Sequence, residues 1–269
     1  MLRFSGVGRT HVGLVRPGNE DSGFVGPSLV LVADGVGGNA GGEVASATTA
    51  YVVVASALSR VGLRPAGVLA DAVADSQRQV AAGTRQSPDL TGMATTLTAL
   101  LTDGQRFALA HLGDSRGYVF RDDELTRVTS DHTWVQQMQH EGRMTEAEAS
   151  IHPWRNAVLR TVNGDAASGA DIVPLALRVG DRVLLASDGL TDLVSEAWIE
   201  EILGSHADDA AVDQLVDAAL AAGGRDNITC VLASVIEGPA VCADGVLLGA
   251  VRDPSNIVDA AAVRAGATA

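Results

Sequence analysis

The sequence predicts an α+β fold in which antiparallel sheets are stacked between pairs of helices, and three observations predict it. Short runs that are apolar or alternate apolar with polar recur along the chain and read as strands. Two pairs of these runs are joined by two-residue turns of the kind that close hairpins, Asp103-Gly104 and Asp122-Asp123. Helical stretches come in two groups instead of alternating with single strands, as a parallel sheet would require.

Residues 29–33 (LVLVA) are apolar throughout, which suits a buried strand; the run stops at Asp34 and enters the Gly-rich loop 35–42. Residues 43–60 and 66–84 read as the first pair of helices. The runs 95–102 and 106–112 form one hairpin, and 117–121 with 125–129 form the second. Residues 131–165 mix helix-forming and loop signals, with Pro153 and Gly164 as breakers. Strands resume at 172–179 and 183–187, helices at 196–203 and 209–222, and 227–236 reads as the last strand. There is no internal repeat. From Glu237 onward the chain is rich in Ala and Gly with weak periodicity, so the expected domain is 1–237 and residues 238–269 are a tail, peripheral or flexible.

The chain has 269 residues, 46% of them apolar and 19% charged, which is enough for a well-buried core and is not a disordered composition. Acidic residues outnumber basic ones 33 to 19, for a net charge of −14. Such a surface repels nucleic acid and anionic lipid, and neither is expected as a partner. All 19 basic residues are Arg. Without Lys there is no P-loop, no protein-kinase site and no Schiff-base chemistry. Cys230 and Cys242 are too few for a disulfide framework or a thiolate metal site; Cys230 lies in an apolar run and Cys242 in the tail. Arg3 and Arg9 are not followed by an apolar run, so no signal peptide is expected. The apolar stretch 47–58 is interrupted by Thr48, Thr49 and Ser56 and is too short to span a bilayer. A cytoplasmic monomer is the expectation.

The chemistry should lie where strands meet Gly-containing turns. Asp34, Asp114, Asp188 and Asp226 all stand at such places. One Asp-Gly is ordinarily a turn. Four carboxylates carried by strand ends instead suit a shared site for hard divalent ions, which prefer oxygen ligands, and no His or Cys cluster competes. The loop from Gly35 to Ala40 also matches the dinucleotide fingerprint. Against that stand Asp34, which would face a pyrophosphate, and the absence of the acidic residue expected about 20 positions later. The glycines are better used to bring backbone carbonyls close to an ion. Arg16-Pro17-Gly18-Asn19-Glu20-Asp21 is either a solvated polar loop or a phosphate-binding fork with Glu20 and Asp21 orienting metal-bound waters.

Taken together, these motifs resemble the metal-dependent Ser/Thr protein phosphatases of type 2C in their compact bacterial form. The similarity covers residues 3–235 in order: Arg16-x-x-Asn-Glu-Asp21, the long motif from Asp34 to Ser46, Gly92-Met-Ala-Thr-Thr96, Gly113-Asp-Ser-Arg116, Ser187-Asp-Gly189 and Gly224-Arg-Asp-Asn227. The resemblance implies a central antiparallel β-sandwich flanked by pairs of helices, with two or three Mn²⁺ or Mg²⁺ ions at one end. It assigns Asp34 and the Gly35 carbonyl to bridged ions, Asp188 and Asp226 to the first ion, and Asp114 with Asp188 to a third. Arg16 would receive the phosphate; Glu20, Asp21 and Asn227 would support the ligands. Residues 131–164 resemble the family's flap, where His132 and His152 could meet substrate. Asn39 stands where bacterial members often carry His, and His11 where an acidic residue is frequent. The implied activity is hydrolysis of phosphoserine and phosphothreonine in proteins, opposing Ser/Thr kinases, with those kinases or their substrates as partners. One alternative is a phosphatase of the anti-sigma-antagonist type, which usually lacks both the Arg16 motif and the flap. The other is a catalytically silent phosphoprotein-binding module, disfavoured because every carried-over side-chain ligand is an Asp.

Overall fold

The computed structural model describes residues 1–36, 41–239 and 244–261; Asn39 and Cys242 lie outside them. Two antiparallel sheets face one another. The first contains β1 (Leu2–His11), β6 (Arg116–Arg121), β7 (Glu124–Arg127), β9 (Arg182–Ala186) and β10 (Ile228–Glu237), in the order β1-β10-β9-β6-β7. The second contains β2 (Ser22–Val25), β3 (Leu29–Ala33), β4 (Leu97–Thr102), β5 (Phe107–Leu112), β8 (Asp171–Leu175) and β11 (Val246–Gly249), in the order β11-β2-β3-β4-β5-β8. Both strands beside β3 run antiparallel to it, which removes the dinucleotide reading, since that motif needs a parallel βαβ unit.

The period-2 geometry of strands explains why these runs are apolar throughout. In β3, Leu29 and Leu31 pack under α1 (Gly42–Ser59) and α2 (Pro65–Gln86), whereas Val30 and Val32 face the other sheet. In β10, Ile228, Cys230 and Leu232 pack toward α5 (Asp188–Thr191), α6 (Glu196–Ser205) and α7 (Asp208–Ala221), while Val231, Ala233 and Val235 fill the space between sheets. The layers are therefore helix, sheet, sheet, helix, as expected. Asp122 and Asp123 both sit at positive φ (52° and 64°), which a two-residue hairpin turn requires.

Two strands and the tail depart from the expectation. β1 and β2 are present although neither presents a continuous apolar run of strand length. Beyond residue 237 the chain is not simply an appendage: β11 pairs with β2, and Val251 is 2% exposed in the core beneath α1. An edge strand in an Ala- and Gly-rich segment carries little pattern of its own, which is why β11 does not stand out in the sequence. Residues 131–164 form α3 (Trp134–His140) and α4 (Glu146–Ser150), with Thr133 and Thr145 capping their N-termini.

Candidate active site

The site forms at one end of the sandwich, where β3, the β5–β6 turn, β9 and β10 bring their terminal carboxylates together. Asp34 follows β3 and is locked to β4: its N–H donates to Thr96 Oγ1 at 2.9 Å, and its carbonyl accepts from Thr95 Oγ1 and from the Thr96 N–H, both at 2.8 Å. Asp188 opens α5 directly after β9, and Asp226 precedes β10. Gly35 fits because a Cβ there would stand 2.5 Å from the Gly42 carbonyl and 2.7 Å from that of Glu20.

Their electrostatics show that these groups share one space. Burial pushes the Asp34 carboxyl well above its ordinary range, and Asp21, Asp188, Asp114 and Asp226 push it further. Asp188 is raised by burial and then by Asp114, Asp192, Asp226 and Asp21. Asp114 is pushed up to about 7, chiefly by burial and then by Asp131 and Asp192. Asp21 is fully buried and raised to about 6 by burial, against hydrogen bonds from Thr229 and Ser187. Its Oδ2 accepts from Ser187 Oγ at 2.9 Å, while Oδ1 has no partner among the described residues. Acidic side chains this deep and this close lack compensating positive charge.

Arg16 supplies part of it. Its Nη2 donates to Asp226 Oδ2 at 2.6 Å, and its charge is held more firmly for that reason. Asn227 is a brace for the loop before it. Its Nδ2 donates to the carbonyls of Val12 and Gly18, both at 2.9 Å, and its Oδ1 accepts from the Glu20 N–H at 2.7 Å. Glu20 is raised by burial and by Glu43, and lowered by Arg16. His11 takes a structural part, its Nδ1 accepting from the Gly13 N–H at 2.9 Å. Gly13 needs its φ of +80°, and a Cβ there would strike the Asp226 carbonyl at 2.2 Å.

The structure also brings in residues that the motifs did not point to. Asp192, one turn after Asp188, lines a cavity of about 130 Å³ together with Arg155, Asn156, Asp188 and Asp226. Asn156 Nδ2 donates to Asp192 Oδ2 at 3.0 Å, tying the 131–164 segment to the site. The i, i+4 spacing from Asp188 was the available signal. His132, in contrast, turns inward: Nδ1 accepts from the Gly113 N–H at 3.1 Å and Nε2 lies 2.9 Å from Asp171 Oδ2. It supports the Gly113–Asp114 turn. His152 packs against Trp134 and Trp154.

Whether the cluster suits divalent ions can be judged from its own atoms. The donors are all oxygens, one buried oxygen is orphaned, and mutual repulsion calls for cations. Among the described residues, no three acidic, His or Cys side chains converge on one point as a ready ligand set. The cluster fits.

A helix–sheet–sheet–helix sandwich with such an acidic mouth defines a class of metal-dependent phosphatases, and comparison with known proteins agrees. The profile of the protein phosphatase 2C family matches residues 19–232, and the chain belongs to that family. The serine/threonine protein phosphatase PstP of Mycobacterium tuberculosis is 41% identical over 274 residues, taking in 99% of this chain and 52% of its own length. The chain thus spans about half the length of that relative. The serine/threonine phosphatase stp of Listeria innocua is 32% identical over 234 residues, 83% of this chain and 93% of its own. The crystal structure of the PstP catalytic domain, in complex with two manganese ions, superposes with a TM-score of 0.82 at 40% identity, covering 88% of this chain and 100% of that one.

Proposed function

We propose that this chain hydrolyses phosphoserine and phosphothreonine in proteins, using Mn²⁺ or Mg²⁺, and that it acts as a cytoplasmic monomer opposing Ser/Thr kinases. The observation that carries the reading is the gathering of Asp34, Asp114, Asp188 and Asp226 at one end of the sandwich, with Arg16 Nη2 on Asp226 Oδ2 at 2.6 Å. No helix among the described residues is long and apolar enough to cross a membrane. The relatives' names and the manganese ions of the PstP structure support the same reading.

Asp34, the Gly35 carbonyl, Asp188 and Asp226 would hold two ions, and Asp114 with Asp188 would hold a third. Ions held there would supply acidity toward water and Lewis acidity toward phosphoryl oxygens. The protein does the rest. The backbone of Asp34 is fixed by three hydrogen bonds to Thr95 and Thr96, which places its side chain at the end of β3 on a rigid support. Arg16 is oriented through Nη2 by Asp226, and its Nη1 and Nε have no protein partner among the described residues. Those donors receive the substrate phosphate in a planar fork. Asn227 holds the loop that carries Arg16 and Glu20 at a fixed distance from β10. Because water is the nucleophile, no side chain forms a phosphoryl intermediate.

The test is phosphate release from a phosphothreonine peptide with Mn²⁺, with Mg²⁺ and with excess chelator, beside a phosphotyrosine control. Release with either ion, none with chelator and little from phosphotyrosine is the expected pattern. Undiminished release in chelator would overturn the metal-dependent reading. No release under any condition would favour the silent binding module.

A further inference from the structure

The part of the chain beyond the family profile closes directly on the rear of the acidic cluster. β11 pairs with β2 in the register Gly249 opposite Ser22, which carries the next residues past Asp21. The Ala250 N–H donates to the Asp21 carbonyl at 2.8 Å, and the Val251 N–H donates to Ser22 Oγ at 3.1 Å. Ser22 Oγ lies 3.0 Å from Ser46 Oγ, which in turn donates to the Glu20 carbonyl at 2.5 Å. The backbone of residues 20–22 is therefore held on one side by α1 and on the other by this returning segment. Gly249 is required at the contact, since its φ is +71° and a Cβ would stand 2.1 Å from the Asp21 carbonyl oxygen.

The segment is anchored well away from the carboxylates. Thr48 on α1 is 1% exposed; its Oγ1 donates to the Asn256 carbonyl at 3.3 Å and accepts from the Val258 N–H at 3.1 Å. Asn256 Nδ2 donates to the Ala250 carbonyl at 3.0 Å, which stiffens the turn between the two contacts. Val251 is buried in the α1–α2 core. We propose that residues 246–258 are a strap that positions residues 20–22, and that its docking sets the affinity of the carboxylate cluster for divalent ions. The proposal rests on the reading of that cluster as an ion site. Asp21 Oδ2 accepts from Ser187 Oγ, the residue before Asp188, and the Glu20 N–H donates to Asn227 Oδ1, the residue after Asp226, so a shift of residues 20–22 is passed to both ligand-bearing turns. Whatever pulls the strap from Thr48 weakens ion binding without touching a ligand.

The experiment is a calorimetric Mn²⁺ titration of the full chain, stripped of ions, as wild type, Gly249→Ala, Thr48→Val and Gly62→Ala. Gly62 also has positive φ (+86°) but open space around its Cβ position, so it controls for backbone strain alone. Gly249→Ala should weaken Mn²⁺ binding about ten-fold, equivalent to about 1.4 kcal/mol. Thr48→Val removes both of its hydrogen bonds to the strap and should weaken Mn²⁺ binding about three- to ten-fold. Gly62→Ala should bind as wild type does. Amide exchange at residues 21–23 of the ion-free protein should quicken in both strap variants. Folded strap variants that bind Mn²⁺ as tightly as wild type would overturn the proposal, and Thr48→Val decides alone should Gly249→Ala not fold. A wild-type chain that binds no Mn²⁺ would overturn the ion-site reading itself, a separate result on the same instrument.

Discussion

Asp114→Asn should make the ion-free protein more stable while abolishing its function. Asp114 occupies the turn between β5 and β6, and its carboxyl is pushed up to about 7 by burial first and by Asp131 and Asp192 next. In the unfolded chain the same group titrates at about 3.9. The gap, about three pKa units at about 1.4 kcal/mol each, puts the cost of ionising Asp114 in the folded, ion-free protein at no more than about 4 kcal/mol. Shared titration with its acidic neighbours lowers that to about 2–4 kcal/mol. Because the folded pKa lies above the unfolded one, the penalty is absent below the unfolded value and grows as the pH rises from about 4 to about 7. Asn keeps the shape and removes the charge. In chelator near neutral pH the variant should therefore melt roughly 4–8 °C above wild type, and the two should converge toward about pH 4. Thermal melts at the two pH values, with phosphopeptide turnover in Mn²⁺ on the same preparation, make the measurement. A variant no more stable than wild type in chelator at neutral pH would refute the claim that like charge is held in this mouth without compensation.

Arg16→Lys keeps the charge but loses the planar fork, so KM for a phosphopeptide should rise about ten-fold or more with the fold intact; steady-state kinetics beside a melting curve check it, and an unchanged KM would confine Arg16 to holding Asp226. His111 is buried between Thr98 and the Ser130 carbonyl, and burial followed by His132 pushes its pKa down to about 4. Its folded pKa is below the unfolded value of about 6.5, so its contribution is whole above that pH and is lost as the pH falls to about 4, up to about 3 kcal/mol. His111→Gln should accordingly show a smaller loss of unfolding free energy between those pH values than wild type, measured by urea denaturation. Asn156→Ala removes the bond to Asp192 and should raise KM about three-fold or more with little change in melting temperature, consistent with one lost hydrogen bond of about 1 kcal/mol.

Much of this architecture was legible in the sequence for a definite reason. β3, β4, β9 and β10 are buried on both faces, and their apolar runs announce them; each of Asp34, Asp188 and Asp226 then stands where such a run meets a glycine-bearing turn. β1 was hidden because it mixes Arg3, Arg9 and Thr10 with glycines on a partly exposed edge, and β2 because four residues hold no period. β11 acquires meaning only through its register with β2, over 200 residues away in sequence. The depth of Asp21 was equally out of reach: it follows from Ser187 and Thr229 closing over it and from Ala250 docking behind it. The place of His132 in the 131–164 segment was visible in the sequence, whereas its hydrogen bond to Gly113 was not.

The central claim is that the carboxylates at the end of the sandwich hold divalent ions. The most direct test is a crystal of this chain grown with Mn²⁺, with anomalous scattering measured at the manganese edge. The account predicts at least two anomalous peaks in the mouth, bounded by Asp34, Asp188 and Asp226 and within about 2.0–2.6 Å of oxygen ligands. Anomalous density absent from that mouth, or located elsewhere on the protein while these side chains stay apart, would contradict it.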